Sequence, residues 1–118
     1  MSGKAKGGSA ATHHWIMQRA SAIALVPLTV WFVISLIVYA GAPYEEVREW
    51  VGSPGPAVML IVLIAASFYH ANLGLYEVVE DYIVNPPVKS VAKVLVSVAC
   101  LILGLIGVFS VLKIGFGG

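Results

Sequence analysis

Charged side chains are scarce in this 118-residue sequence: Asp, Glu, Lys and Arg make up only 11% of it, whereas soluble domains carry about 25%. The net charge of +1 leaves no strongly basic surface for nucleic acid. The single cysteine, Cys100, excludes an internal disulfide, and the sequence has no phosphate-binding glycine loop and no metal-type Cys/His cluster. Apolar residues are abundant instead: 59% of the chain is hydrophobic and the mean hydropathy is +0.92. These features indicate a chain whose solvent is lipid.

Three long apolar segments fill most of the sequence, at about residues 20–40, 56–76 and 91–113. A helix needs about 20 apolar residues to cross a bilayer, and in lipid the backbone must satisfy its own hydrogen bonds. We therefore predict an all-α membrane protein with three transmembrane helices. Because almost no mass lies outside these helices, we expect them to be part of a larger, hetero-oligomeric helical bundle. Residues 15–118 form its membrane anchor domain. Residues 1–14 form a cytoplasmic tail, in which Met1 to Thr12 is expected to be disordered.

The first span is followed by Ala40-Gly41-Ala42, which is similar to a signal-peptide cleavage site. The apolar core of a signal peptide has about 7–15 residues, and this run is longer, so we predict a retained helix. Its orientation follows from the excess of Lys and Arg on the cytoplasmic side of a membrane. The side of the N-terminus and second loop has Lys4, Lys6, Arg19, Lys89 and Lys93, and the other side has Arg48 and Lys113. The prediction is a cytoplasmic N-terminus and a periplasmic C-terminus.

The segments between the spans carry most of the polar residues. In the first loop, the stretch Glu45 to Trp50 is expected to form a short helix at the membrane interface. The second loop, Glu77 to Lys89, holds three carboxylates and a tyrosine, and its Pro86-Pro87 pair is expected to stop any helix. Pro27 lies within the first span, where we expect a kink.

His70 is, apart from tyrosines, the only titratable side chain of the second span. It lies about 10 Å inward of Glu77, and Arg19 lies about 8 Å inward of His14 on the first helix, at 1.5 Å per residue. An antiparallel helix pair therefore brings Arg19 and His70 to similar depth on one side of the membrane. The helix face that carries His70 has small residues toward the membrane interior and the carboxylates Glu77 and Asp81 toward the water.

These polar residues also have plainer interpretations. A histidine in a membrane helix often hydrogen-bonds a neighbouring helix, although ionisable residues in spans are functional candidates. Arg19 can extend to lipid headgroups, and the carboxylates can be the solvated end of a helix. The alternative is that His70 ligates haem iron through its neutral imidazole and that Arg19 pairs with a haem propionate. Since no other histidine lies within the spans, a second histidine ligand would come from a partner chain.

Three stretches carry a resemblance to a known family: HHWIMQRASAIAL (His13 to Leu25), the H-x₃-G of His70 and Gly74, and VVEDYI (Val78 to Ile83). They resemble the small hydrophobic membrane anchor of succinate dehydrogenase (complex II). The three spans and the cytoplasmic N-terminus also match, and the resemblance covers nearly the whole chain. Its most specific part is a histidine followed eleven and twelve residues later by Asp-Tyr.

The resemblance implies a role in succinate:ubiquinone oxidoreductase, which serves the tricarboxylic acid cycle and respiratory electron transfer, in the inner membrane of a bacterium. The chain would have no succinate-oxidising site of its own. It would share haem b with a second membrane anchor, of cytochrome b type, and dock an iron–sulfur subunit and a flavoprotein subunit. By position, His70 resembles the axial haem ligand and Arg19 the arginine near the propionates. Tyr82 resembles the tyrosine that hydrogen-bonds ubiquinone, with Asp81 in the same pocket.

Three other assignments stay open at the level of the sequence. A quinol:fumarate reductase anchor is a close variant, and the residues do not distinguish it from a succinate dehydrogenase anchor. A small multispan transporter or channel component would use His70 as a proton relay, but every carboxylate lies in a predicted loop, which weighs against it. A purely structural assembly protein would leave Arg19, His70 and Tyr82 individually replaceable.

Overall fold

The computed structural model describes residues 11–117, and its first helix is bounded at Ser2. Four helices follow one another along the chain: α1 (Ser2–Tyr39), α2 (Tyr44–Gly52), α3 (Pro54–Tyr82) and α4 (Pro86–Gly115). No strand occurs among the described residues, so the predicted all-α fold is confirmed. The expected disorder of Met1 to Thr12 lies outside the described residues except at Ala11 and Thr12, which are helical.

Three of these helices are long and apolar enough to cross a bilayer: Ala11–Tyr39, Pro54–Tyr82 and Pro86–Gly115. The number of spans is as predicted, but each helix begins before the predicted apolar segment. The reason is that a helix continues through polar interfacial residues, whose backbone groups it still satisfies. At 1.5 Å per residue, the 29 residues of Pro54–Tyr82 extend about 44 Å. That length covers the hydrocarbon core and both headgroup regions of a bilayer.

The connection between α3 and α4 is much shorter than predicted. The prediction of a loop from Glu77 to Lys89 was wrong, because α3 runs to Tyr82 and only residues 83–85 separate it from α4. Nor does the proline pair stop a helix: Pro86 and Pro87 occupy the first positions of α4, where a missing N–H costs nothing. Asn85 caps this helix, because its Oδ1 accepts a hydrogen bond from the Val88 N–H at 3.3 Å.

Helix α2 confirms the short helix predicted from Glu45 to Trp50, and aromatic contacts fix it to α1. The Trp50 ring stacks on Tyr39 with centroids 4.7 Å apart and lies 5.8 Å from the Trp31 ring. The turn between α1 and α2 depends on Gly41, whose φ of +79° is a left-handed conformation that glycine adopts without strain. Helix α1 passes through Pro27 without interruption.

Helix α3 is the central helix of this chain, since it packs against both α1 and α4. Glycines of α4 allow the closest approach: a Cβ added at Gly107 would lie 3.0 Å from Ile64 Cγ2, and one at Gly104 would lie 3.6 Å from Phe68 Cβ. Few apolar side chains are buried within the described residues, namely Leu60, Leu63, Val79 and Val111. The outer faces of the long helices are apolar and exposed, as expected for helices that contact lipid or another membrane protein.

Candidate functional site

Polar side chains of α1 and α3 meet along one line of contact within the membrane span. Three of them recur on α1 at spacings of four and three residues, which puts them on one helical face. Three positions of α3 share a face at the same spacings, and the two helices run antiparallel. The facing pairs, called here the polar ladder, are His14–Glu77, Gln18–Gly74 and Ser21–His70.

The innermost pair of the polar ladder joins Ser21 to the predicted site residue His70. Ser21 Oγ lies 2.9 Å from His70 Nδ1 and 3.0 Å from the backbone carbonyl oxygen of Gln18. The hydroxyl has one proton, and the carbonyl oxygen can only accept. If that proton pointed at His70, two oxygens without a proton between them would face each other at 3.0 Å. The arrangement that satisfies both contacts has Ser21 donating to Gln18 and His70 Nδ1–H donating to Ser21.

This hydrogen-bond chain determines which nitrogen of His70 is available to a ligand. In neutral imidazole, a proton on Nδ1 leaves the lone pair on Nε2. Nε2 makes no hydrogen bond to any described residue, and the side chain is half-buried. In the membrane interior, Nε2 of His70 thus has a lone pair that no hydrogen bond occupies, and this is the form in which histidine ligates haem iron. The residues present therefore fit a haem ligand at this position.

Gln18 occupies the middle of the polar ladder. Its Nε2 lies 3.7 Å from the point where a Cβ would be at Gly74, so the missing side chain of Gly74 leaves room for the Gln18 amide. The Gln18 Oε1 atom is buried and has no hydrogen-bond partner among the described residues. A buried acceptor without a partner is costly, so a donor from outside this chain, such as water, is the expected partner.

The outermost pair, His14 and Glu77, lies where α1 and α3 approach the membrane surface. His14 Nδ1 is 3.4 Å from Glu77 Oε1, and both side chains are partly exposed. Glu77 was expected in a loop, but it belongs to α3 and shares the helical face of His70. The pair gives the polar ladder a titratable, water-accessible end.

Arg19 lies near the height of His70, as predicted, but on a different face of α1. It precedes Ser21 by two residues, which corresponds to about 3 Å along the axis and about 200° of rotation. Its guanidinium carbon lies 5.3 Å from the centroid of the Trp15 ring, a cation–π contact on the exposed side of the helix. Arg19 therefore lies on the exposed side of α1, away from α3.

Asp81 and Tyr82, the predicted quinone-site residues, form the exposed C-terminal end of α3. The Tyr82 side chain is 81% exposed, and its hydroxyl has no hydrogen-bond partner among the described residues. Twelve residues separate it from His70, or about 18 Å along the helix axis. The structure therefore divides the predicted site residues into two places, one inside the membrane and one at its surface.

A second group of polar side chains connects α3 to α4 near this surface. Glu80 accepts hydrogen bonds from Lys93 Nζ and, at 3.2 Å, from Lys89 Nζ. Lys93 Nζ also lies 5.6 Å from the centroid of the Tyr76 ring. Deeper in the membrane, the Ser97 hydroxyl is 2.8 Å from the Tyr76 hydroxyl. This group holds the end of α3 that carries Tyr82 against α4.

Sequence reasoning did not find the pairing of Ser21 with His70, nor the roles of Gln18 and His14. The signal was present in the spacing of the three residues on α1, which matches the face of α3 that carries His70. Reading it required knowing that α1 and α3 are neighbours and in which register they pack. Helical periodicity alone contains neither fact.

Comparison with known proteins gives a consistent result. A protein-family model described as the succinate dehydrogenase/fumarate reductase transmembrane subunit matches residues 3–108. The succinate dehydrogenase hydrophobic membrane anchor subunit of Rickettsia conorii is 31% identical over 102 residues, covering 86% of this chain and 79% of that protein. The proteins of the same name from Rickettsia bellii and Paracoccus denitrificans are 35% identical over 81 residues and 31% identical over 70 residues. These two alignments cover 69% and 59% of this chain, and 62% and 54% of the relatives.

Proposed function

Since the chain belongs to the family of succinate dehydrogenase/fumarate reductase transmembrane subunits, we propose that it is the membrane anchor of a bacterial succinate:ubiquinone oxidoreductase. It does not oxidise succinate itself. It shares haem b with a second membrane anchor and contributes to the ubiquinone site. The observation that carries the proposal is the family match over nearly the whole chain, and His70 with its unpaired Nε2 supports the haem assignment.

In this proposal His70 would hold the haem iron through Nε2, and the second anchor would supply a further ligand. Haem supplies a one-electron carrier within the bilayer when it is bound. The imidazole is oriented by its hydrogen bond to Ser21, and its site is half-buried, which limits the access of water. Arg19 carries a fixed positive charge at similar depth on the outward face of α1, and we assign it to a haem propionate.

Tyr82 and Asp81 contribute to ubiquinone reduction at the membrane surface. Ubiquinone takes up two electrons and two protons, and negative charge develops on its carbonyl oxygens as electrons arrive. The exposed Tyr82 hydroxyl is a donor for such an oxygen, and it has no competing partner among the described residues. The Asp81 carboxylate, also exposed, is a proton carrier for the same site. Electrons come from an iron–sulfur subunit, because this chain has one cysteine and a cluster needs several.

The proposed location is the bacterial inner membrane, with the N-terminus and the α3–α4 connection in the cytoplasm and the C-terminus in the periplasm. The distribution of Lys and Arg supports this orientation. It puts Tyr82 on the cytoplasmic face, where the iron–sulfur and flavoprotein subunits would dock. The exposed apolar faces of α1 and α4 provide surface for the second anchor and for lipid.

A quinol:fumarate reductase anchor is the second candidate, because the description of the matching family names both succinate dehydrogenase and fumarate reductase. The residues assigned above serve quinone chemistry in either direction. The direction of turnover is a property of the subunits that carry the flavin and the iron–sulfur clusters. An assay of succinate oxidation against fumarate reduction by the purified complex separates the two.

The test of the proposal is purification in mild detergent through a tag on this chain, followed by a reduced-minus-oxidised visible spectrum. We expect three further subunits and a b-type haem signal, and we expect the signal to be lost or shifted in His70→Ala. Tyr69→Ala is a matched control, because Tyr69 neighbours His70 on α3 but faces the groove between α3 and α4. A wild-type complex of four subunits without haem would contradict the haem assignment. A chain that purifies alone would contradict the anchor role.

A further inference from the structure

We propose that Ser21 is a positioning residue for the haem ligand: its hydroxyl fixes the His70 imidazole in the tautomer and ring orientation that direct Nε2 toward the iron. This inference rests on the proposed ligation by His70 and deepens it. Its basis is the hydrogen-bond chain from His70 Nδ1 through Ser21 Oγ to the Gln18 carbonyl oxygen, with lengths of 2.9 and 3.0 Å.

The donor and the acceptor in each of these two hydrogen bonds are determined by chemistry that does not depend on the haem. The Gln18 carbonyl oxygen can only accept, so the Ser21 proton is committed to it and the Ser21 oxygen is free to accept from His70. Ser21 is among the most buried side chains described, with 8% of its surface exposed. Water is therefore a poor substitute partner for His70 Nδ1, and the imidazole depends on this single hydroxyl.

The hydrogen bond also affects how well His70 donates to iron. An imidazole that gives its Nδ1–H to an acceptor becomes a stronger base at Nε2 and holds one ring orientation. A stronger donor stabilises ferric iron more than ferrous iron. Loss of the acceptor should therefore raise the midpoint potential of the haem and alter the electron paramagnetic resonance spectrum of its ferric form.

Helix α1 provides a matched control in a second serine. Ser35 is also 8% exposed, and its hydroxyl donates at 2.8 Å to the carbonyl oxygen of Trp31, four residues earlier, where that of Ser21 donates to Gln18, three residues earlier. Both serines thus bond the preceding turn of α1, but no histidine contacts Ser35 among the described residues. Ser35→Ala and Ser21→Ala remove the same group from the same helix at the same burial. Only Ser21→Ala removes an acceptor from His70.

The experiment is potentiometric titration and ferric-haem electron paramagnetic resonance of the intact complex carrying each variant. We expect Ser21→Ala to weaken the preference of the site for ferric over ferrous iron by up to about tenfold, which is about 59 mV upward for a one-electron couple. Ser21→Thr, which keeps the hydroxyl, and Ser35→Ala should match the wild type. If Ser21→Ala does not assemble, Ser21→Cys is measured instead. Because its thiol is a weaker acceptor, its potential should move upward by less.

The positioning role is overturned if the potential and spectrum of Ser21→Ala, or of Ser21→Cys in its place, equal those of Ser35→Ala. Failure of the underlying haem assignment has a different signature, because His70→Ala would then leave the haem spectrum unchanged. A shift in Ser21→Ala that Ser21→Thr restores supports the inference. A merely structural role for Ser21 would change assembly yield but not the potential of the haem that remains.

Discussion

The contact between Gly107 of α4 and Ile64 of α3 yields a prediction about the packing that holds α3 in place. An alanine Cβ at position 107 would lie 3.0 Å from Ile64 Cγ2 and 3.4 Å from Cδ1. Carbon atoms prefer separations of about 3.5–4.0 Å, so the neighbour would have to move by several tenths of an ångström. Ile64 cannot yield easily, because a β-branched side chain in a helix has essentially one χ1 rotamer.

The magnitude follows from two opposing terms. Replacing glycine by alanine within a helix gains about 1 kcal/mol of helix propensity, and overpacking typically costs about 1–3 kcal/mol. Gly104→Ala is the matched control, since its Cβ would meet Phe68 at an ordinary 3.6 Å. Because the propensity gain is common to both substitutions, Gly107→Ala should be less stable than Gly104→Ala by about 1–3 kcal/mol. Ile64→Leu removes the γ2 methyl group and should restore most of that difference.

The assay is the thermal midpoint of the purified complex in one detergent, measured for wild type, both alanine variants and the Gly107→Ala/Ile64→Leu double variant. We expect Gly104→Ala to equal or exceed wild type and Gly107→Ala to fall below it. In a double-mutant cycle, the Ile64→Leu change should be coupled to position 107. Equal midpoints for Gly104→Ala and Gly107→Ala would refute the argument that this close approach limits the packing of α3 against α4.

Two further predictions concern the ends of the molecule. Tyr82→Phe should lower ubiquinone reductase activity by about 10²-fold, the usual effect of removing one donor to a developing oxyanion, while succinate oxidation by an artificial acceptor continues. The control is Tyr44→Phe, which removes an exposed phenol at the opposite membrane face and should change neither activity. Equal loss of both activities in Tyr82→Phe would count against the quinone role. Trp50→Leu should destabilise the α1–α2 connection by about 1–3 kcal/mol, because each aromatic pair with Tyr39 and Trp31 contributes about 0.5–1.5 kcal/mol. Limited proteolysis between α1 and α3 measures this, and unchanged resistance to cleavage would contradict it.

Some parts of the fold were accessible to prediction because they depend on local chemistry. A run of about 20 apolar residues must be helical in lipid, so the number and order of the spans followed from hydropathy alone. The short helix at Glu45 to Trp50 followed from its interfacial composition. The α3–α4 connection was predicted wrongly because charged residues suggested a loop. A proline pair also has two opposite meanings, ending one helix or beginning the next.

The candidate site divides in the same way. His70 was identifiable because an ionisable side chain in an apolar span is rare. Tyr82 and Asp81 were singled out by the resemblance to the succinate dehydrogenase anchor, in which an Asp-Tyr pair follows the histidine. The depth of Arg19 relative to His70 was predictable from the rise per residue. The face on which Arg19 lies was not, because it depends on which side of α1 contacts α3.

The sequence by itself determined that this is a three-span helical membrane protein with one histidine within its predicted spans and a group of carboxylates that follows the predicted second span. These properties depend on the solvent and on residues near one another in the chain. Only the tertiary structure decided that Ser21 faces His70, that Gln18 and His14 continue the same line, and that Arg19 faces outward. The physical reason is that helix periodicity places residues on faces but does not say which faces meet. In lipid, where apolar surfaces have little preference for one another, the register is chosen by close packing and by a few polar contacts between helices.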